Sequence, residues 1–173
     1  YRENLSIISG TDRPGSSESF HPDMAEFFLS RMSQNFDIVI CDSGANMEHG
    51  LSLGALFASD SIYMVFSQIE SAFRHYEWLQ PLYGKLGLNI SGYVLNRFVY
   101  QSAYSKDYTR KRLGISKDKL FTVRESSYGQ LAEIDEKSLM NYHEPGFFKD
   151  IETIAKDILR QSRQEDLKCA ANG

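Results

Sequence analysis

The chain has 173 residues, which is the size of one domain with a sizeable core. Its composition, 42% hydrophobic and 24% charged, is that of an ordinary globular protein, and a net charge of -4 excludes a general attraction to nucleic acid or anionic lipid. The four histidines show no metal-ligand spacing, and no apolar stretch approaches the length of a membrane span. Cys41 and Cys169 are not expected to pair, which favours a reducing cytoplasm.

Short apolar runs alternate along the chain with segments of helical periodicity. The runs predict strands at 5–9, 36–42, 61–66, 90–96 and 120–123. The periodic segments predict a helix that opens at Pro22 and further helices at 51–58, 71–86, 104–113 and 147–161, with an interruption or kink at Pro81. This alternation predicts an α/β fold, a mostly parallel sheet of about five strands flanked by helices.

The chain shows no internal repeat and no linker that would divide it. We therefore predict one domain over residues 1–162, followed by a polar, frayed tail over residues 163–173. The chain begins with Tyr1 rather than with Met, from which we expect a fragment or a processed protein.

The first candidate site residue is Asp42, at the end of the apolar run that begins at Phe36. Such a run predicts a strand buried on both faces, and ligands of open α/β sheets bind beyond the carboxyl ends of the strands. A carboxylate there can hold Mg²⁺ through its water shell, beside a nucleotide phosphate. The alternative is that Asp42 only caps a turn or the next helix, and the spacing alone does not decide between them.

Several motifs follow one another in the order typical of one ATPase family. Phe-Asp-Ile-Val-Ile-Cys-Asp-Ser at 36–43 resembles the Walker B and switch II strand of the MinD/ParA family. The segment at 58–65 resembles the next strand of that family, and Gly-Tyr-Val-Leu-Asn-Arg at 92–97 resembles its strand ending in Asn-Arg. Residues 4–10 are similar to the strand before Walker B, so the resemblance runs over about residues 4–160 and implies an incomplete P-loop NTPase-like fold.

The resemblance also implies a base-binding site at Asn96, because the matching Asn of the family recognises adenine. An amide carries both a donor and an acceptor, which suits the adenine edge. Arg97 and Arg124 are expected to bind the same nucleotide, and Glu125 to rim the pocket with them. The alternative is that Asn96 only ends its strand and forms a turn.

One element of the family pattern is missing from the sequence. The family grips phosphate with a glycine-rich loop carrying two lysines, and no such loop occurs here. Residues 10–17 have a similar spacing, but Pro14 removes a backbone donor and Ser16 stands where the lysine belongs. We therefore expect this chain alone to bind ATP poorly and to be inactive as an ATPase, with ATP and Mg²⁺ binding only alongside a further N-terminal part.

The resemblance implies that the chain is the nucleotide-binding and switch portion of an ATPase that positions or assembles cellular cargo, such as chromosomes, division machinery, pili or flagella. A homodimer of the full-length protein, an unidentified protein partner and a cytoplasmic location are expected with it. The alternatives are a pseudo-ATPase that serves as an interaction scaffold, and an unrelated α/β binding module.

A basic segment with interleaved tyrosines raises the further possibility of DNA binding, as in ParA-like proteins. Its members are Lys106, Arg110, Lys111, Arg112, Lys117 and Lys119, with Tyr100, Tyr104 and Tyr108 between or beside them. Acidic neighbours dilute this charge, and a solvated helix face is the simpler interpretation. The closing helix carries acidic residues on its polar face, so we expect it to pack on the sheet rather than to dock on a membrane.

Overall fold

A computed structural model of the chain describes residues 4–9, 20–44 and 49–171, with side chains described up to residue 162. The chain divides into two compact units, residues 1–59 and residues 60–173. The predicted domain over 1–162 and tail over 163–173 follow other boundaries and stay predictions. The last helix runs past the predicted end at residue 161 and continues to Ala171.

The first unit contains two helices that pack against each other, α1 (Pro22–Ser33) and α2 (Gly50–Ala58). Pro22 stands at the start of α1, where its missing N–H has no intrahelical partner to lose. A Cβ on Gly54 of α2 would lie 2.1 Å from the Pro22 carbonyl oxygen and 2.9 Å from the Ala25 Cβ. The two helices therefore meet at a position that only glycine permits.

Two predicted strands of the first unit are not formed within the described part of the chain. Residues 5–9 and 36–42 contain no strand and have no ladder partner there. Their apolar side chains are exposed, Ile8 by 65% and Ile40 by 82%, and Cys41, which the sequence placed in a buried strand, is exposed as well. A strand requires a neighbour for its backbone groups and a cover for its side chains, and an apolar run alone supplies neither.

The second unit is a parallel sheet with helices on both faces. Its strands are β1 (Ile62–Ser67), β2 (Ile90–Phe98) and β3 (Leu120–Arg124), and they lie side by side in the sheet in the same order as in the sequence. Its helices are α3 (Glu70–Lys85), α4 (Lys106–Leu113), α5 (Gly129–Ile134) and α6 (Pro145–Ala171), with 3₁₀ turns at Lys117–Lys119 and Leu139–Asn141. The parallel α/β arrangement is thereby confirmed with three strands rather than about five. The interruption predicted at Pro81 is wrong, because α3 runs through that exposed proline, and the kink there stays a prediction.

The core of the second unit lies on both faces of this sheet. Phe73 of α3, Leu95 of β2 and Leu120 of β3 are almost completely buried on one face. Val94 and Val123 pack with Phe147 of α6 on the other. Neighbouring residues such as Val94 and Leu95 serve opposite faces because side chains alternate along a strand. The predicted packing of the closing helix on the sheet is thus what the structure has.

A polar network joins α6 to the beginning of β1. The Tyr63 hydroxyl donates to Asp157 Oδ2 at 2.7 Å, and the Gln161 amide donates to the same carboxylate at 2.8 Å and to the tyrosine oxygen at 2.9 Å. Burial, and then the hydrogen bond to Asp157, raise the pKa of Tyr63 above its usual value. Because Asp157 is buried, these bonds fix the helix against the sheet and keep its carboxylate satisfied.

Candidate functional site

The three parallel strands of the second unit end at one edge of the sheet. We call this the carboxyl edge and define it as Gln68 after β1, residues 96–100 at the end of β2, and residues 124–125 at the end of β3. Ligands of open parallel sheets bind at such an edge, where polar loop residues meet at the ends of rigid strands.

A β-bulge shapes the end of β2. The register with β3 shifts between Leu95 and Phe98, and Arg97 adopts a positive φ of 54°. The Arg97 backbone N–H donates to the Asn96 side-chain oxygen at 3.0 Å. This hydrogen bond satisfies the N–H at a residue whose positive φ is uncommon outside glycine. Bulges re-aim side chains next to functional sites, and this one sits where the sequence predicted a base contact.

The Asn96 side chain is half-buried and keeps a donor for a ligand. Its oxygen is used by the neighbouring backbone, as the turn-forming alternative predicts. Its amide nitrogen makes no hydrogen bond among residues 4–9, 20–44 and 49–162, where side chains are described. An amide N–H donor and a spare oxygen lone pair are the groups that a purine edge pairs with.

Arg97 points away from the core and meets a carboxylate from β3's loop. Its guanidinium Nη2 lies 3.1 Å from Glu125 Oε1, and the Arg97 side chain is 73% exposed. The Glu125 N–H donates to the Phe98 carbonyl at 3.2 Å, which fastens the two loop starts together. An exposed ion pair contributes little stability, so this pair can open when a ligand competes for either partner.

Arg124 is held much more firmly, by Asp150 of α6. Its backbone N–H, Nε and Nη2 donate to the two Asp150 oxygens at 3.0, 2.7 and 3.0 Å, and these bonds raise the pKa of Arg124. A Cβ on Gly146 would lie 2.3 Å from Arg124 Nη1, so the helix backbone also closes on the guanidinium. Arg124 lies at the predicted edge, but its charge is offset by a protein carboxylate.

The loop after β2 is tied down by Gln68. The Val99 N–H donates to Gln68 Oε1 at 2.6 Å, and Gln68 Nε2 donates to the Tyr104 carbonyl at 2.8 Å. Tyr100 lies in this loop, with its ring centroid 5.0 Å from that of Phe98 in an edge-to-face contact. The Arg124 guanidinium carbon lies 6.0 Å from the Tyr100 ring centroid. The sequence assigned Tyr100 to the basic segment and missed Gln68, although a polar side chain directly after a strand was a usable signal.

Asp42, the other predicted site residue, lies in the first unit. It is exposed, and its Oδ1 accepts a hydrogen bond from the Gly44 N–H at 3.2 Å, with Gly44 at a φ of 67°. This is the turn-capping role that the sequence left open. Since Asn96, Arg97 and Arg124 belong to the second unit, the meeting of Asp42 with Asn96 stays a prediction. Residues 10–17, with the loop that resembles a phosphate loop in spacing, lie outside the described residues.

Part of the basic segment makes contacts within the protein. Arg112 donates to both oxygens of Glu70 and of Glu77 at 2.7–3.1 Å, and its guanidinium lies over the Phe73 ring. These bonds, those with Glu77 first, raise the pKa of Arg112. Lys119 donates to the Ile90 carbonyl at 3.2 Å. The Arg112 pairings reduce the positive charge offered to a polyanion, whereas the Lys119 bond to a neutral carbonyl leaves the lysine charge in place. DNA binding stays a prediction.

The described residues contain neither a cluster of metal ligands nor a membrane-spanning helix. No three His, Cys, Asp or Glu side chains within that part of the chain come together as a metal site. No helix in the same part is long and apolar enough to cross a bilayer.

One known structure is similar to this chain in its fold. No protein-family model matches the sequence, and no curated protein matches it. The crystal structure of the cell division ATPase MinD of Pyrococcus furiosus is similar to this chain, with a TM-score of 0.64 and 17% sequence identity. Over the matched region, the chain shares the fold of MinD. The match covers 80% of this chain and 58% of the MinD chain, so the chain spans little more than half of that protein's length. The likeness in fold that the motifs indicated is thereby confirmed.

Proposed function

We propose that this chain is the nucleotide-binding and switch portion of a MinD/ParA-like ATPase that positions or assembles cellular cargo. The observation that carries the proposal is the bulge at Asn96, at the carboxyl edge of a sheet with the MinD fold. A rigid strand end with an unused amide donor is a suitable place for a nucleotide base.

Two residues, one in each unit, offer groups that suit ATP with Mg²⁺. The Asn96 amide offers a donor and an acceptor lone pair to the adenine edge. Asp42 offers one exposed carboxylate, and Mg²⁺ commonly takes one or two carboxylates while keeping its waters and binding phosphate oxygens. A site of that kind needs no cluster of three protein ligands. Mg²⁺ would supply charge neutralisation at the phosphates, while Asn96 orients the base.

The proposal includes the properties that follow from such an ATPase. The full-length protein would form a homodimer around ATP, act in the cytoplasm and bind a protein partner through loops that change with the nucleotide. Its cargo would be chromosomes, division machinery, pili or flagella.

A second candidate is a pseudo-ATPase that serves as an interaction scaffold. It is favoured because the arginines of the carboxyl edge are paired with protein carboxylates. Arg97 and Arg124 are both paired with carboxylates, and one oxygen of Asp42 caps a turn. Phosphoryl transfer depends on cations that neutralise the transferred group, and these pairings leave fewer of them.

Isothermal titration of the full-length protein with ATP and Mg²⁺ separates the two candidates. We expect Asn96→Ala to weaken ATP binding by about tenfold, since a ligand group loses its hydrogen bond. Asn89→Ala, at the exposed amino end of β2, is the matched control and should bind as the unaltered protein does. Asp42→Ala should lower the Mg²⁺-dependent affinity and turnover. ATP affinity that is equal in the Asn96→Ala and unaltered proteins would refute the nucleotide site, and no binding at all would favour the scaffold.

A further inference from the structure

Tyr100 is an exposed aromatic residue that lies outside the buried core cluster. It follows β2 by two residues, and it is 66% exposed. Tyr104 in the same loop, by contrast, packs edge-to-face on the buried Phe73 ring with the centroids 5.2 Å apart. The fold therefore uses one tyrosine of this loop for its interior and presents the other to solvent at the carboxyl edge.

The Tyr100 ring is held in place on a fixed loop. The Gln68 side chain bonds to the backbone on both sides of it, at Val99 and at Tyr104. The edge-to-face contact with Phe98, which is buried, limits the ring itself. Such restraints lower the entropy that a binding residue loses when its ligand arrives.

The surroundings of Tyr100 suit a flat, electron-rich ligand. The Arg124 guanidinium carbon lies over one face of the Tyr100 ring, 6.0 Å from its centroid, which leaves the other face for a ligand. The guanidinium is oriented by two hydrogen bonds to Asp150. Tyrosine rings and arginine guanidinium planes are the groups on which proteins stack nucleobases. The Asn96 amide stands four residues before the ring at the same sheet edge.

We propose that Tyr100 is a base-stacking residue, and that its ring contacts the face of the base whose edge Asn96 contacts. This inference rests on the proposed nucleotide site and adds a residue to it. The two contacts differ in what they recognise. Stacking stabilises any nucleobase, because every base has a π face, whereas the amide distinguishes bases by their donors and acceptors.

The test is an NMR titration of the full-length protein with adenosine, guanosine and ribose 5-phosphate. We expect Tyr100→Ala to weaken the binding of adenosine and of guanosine by about tenfold each. Tyr100→Phe keeps the ring and should stay within about twofold of the unaltered protein. Trp78→Ala removes an exposed aromatic ring from α3 and is the matched control, with no expected change. Ribose 5-phosphate, which has no base, should bind all variants equally.

The outcomes distinguish this inference from the nucleotide site on which it rests. If Tyr100→Ala binds both nucleosides as the unaltered protein does while Asn96→Ala does not, Tyr100 has no stacking role and the site stands. If the unaltered protein binds neither adenosine nor ATP with Mg²⁺, the site itself is wrong. If Tyr100→Ala unfolds at the same temperature as the unaltered protein, any loss of binding comes from the missing ring and not from a less stable fold.

Discussion

Residues 36–42 of the first unit and residues 90–96 of the second unit, which lie in β2, are both short apolar runs that end in a polar side chain. In β2, Leu95 is fully buried between strands and helices, whereas Ile40 in the other run is 82% exposed. The local sequence signal is the same, and the environment differs. An apolar run becomes a strand only where neighbours satisfy its backbone and cover its side chains.

The largest expected effect comes from shortening one apolar side chain in each run, buried Leu95 in β2 and exposed Ile40 in residues 36–42. Leu95→Ala should lower the free energy of unfolding by about 2–5 kcal/mol, because it opens a cavity between the sheet and α3. Ile40→Ala should change it by less than about 0.5 kcal/mol, because the side chain is exposed. Urea unfolding of both variants measures this. A loss at Ile40 as large as that at Leu95 would show that residues 36–42 are buried and break the comparison.

A smaller effect separates the two ion pairs of the carboxyl edge. Asp150→Ala should lower the free energy of unfolding by about 1–3 kcal/mol, because it removes charge-assisted hydrogen bonds and leaves the Arg124 backbone N–H without its partner. Glu125→Ala should cost less than about 1 kcal/mol, since its pair with Arg97 is exposed. The same urea experiment compares them. If the two substitutions were equally costly, Arg124 would not be anchored as described.

The smallest expected effect is the loss of stability at low pH that follows from protonation of Glu70. It compares a carboxylate held by hydrogen bonds with an ordinary, solvated one. Hydrogen bonds from Arg112, and then from Arg74, lower the pKa of Glu70 from 4.5 to about 2. Because the folded pKa lies below the unfolded one, Glu70 stabilises the fold above about pH 4.5, and that contribution disappears as the pH falls toward 2. Carbon-13 NMR titration of the Glu70 carboxyl should give a midpoint near 2.

Arg112→Gln provides the control for this titration. It removes the principal donor, so the Glu70 midpoint should move up toward its ordinary value. An ordinary midpoint in the unaltered protein would contradict the hydrogen-bonded arrangement between α3 and α4.

The sequence predicted the second unit well because its signals are local. The runs at 61–66, 90–96 and 120–123 are apolar and β-branched, and each coincides with a strand to within two residues at either end. The runs at 5–9 and 36–42 carried the same signal and failed, since strand pairing depends on residues far along the chain.

The candidate site shows the same division. Asn96 was predicted from the resemblance of residues 92–97 to a family strand that ends in Asn-Arg, and that motif is a local feature of the sequence. The hydrogen bonds of Gln68 and Asp150 could not be predicted, because their partners Tyr104 and Arg124 lie 36 and 26 residues away. For Gln68, only its place directly after a strand was a local signal. The bulge that gives Arg97 its positive φ depends on the register with β3 and has no local signature.

The central claim is that the end of β2 binds the base of a nucleotide, and the side-chain amide of Asn96 reports on it directly. In a proton–nitrogen NMR spectrum of the full-length protein, ATP with Mg²⁺ should shift the Asn96 side-chain resonances and give a nuclear Overhauser effect between that amide and the adenine protons. Binding of ATP that leaves these resonances unchanged would place the base elsewhere and contradict the account.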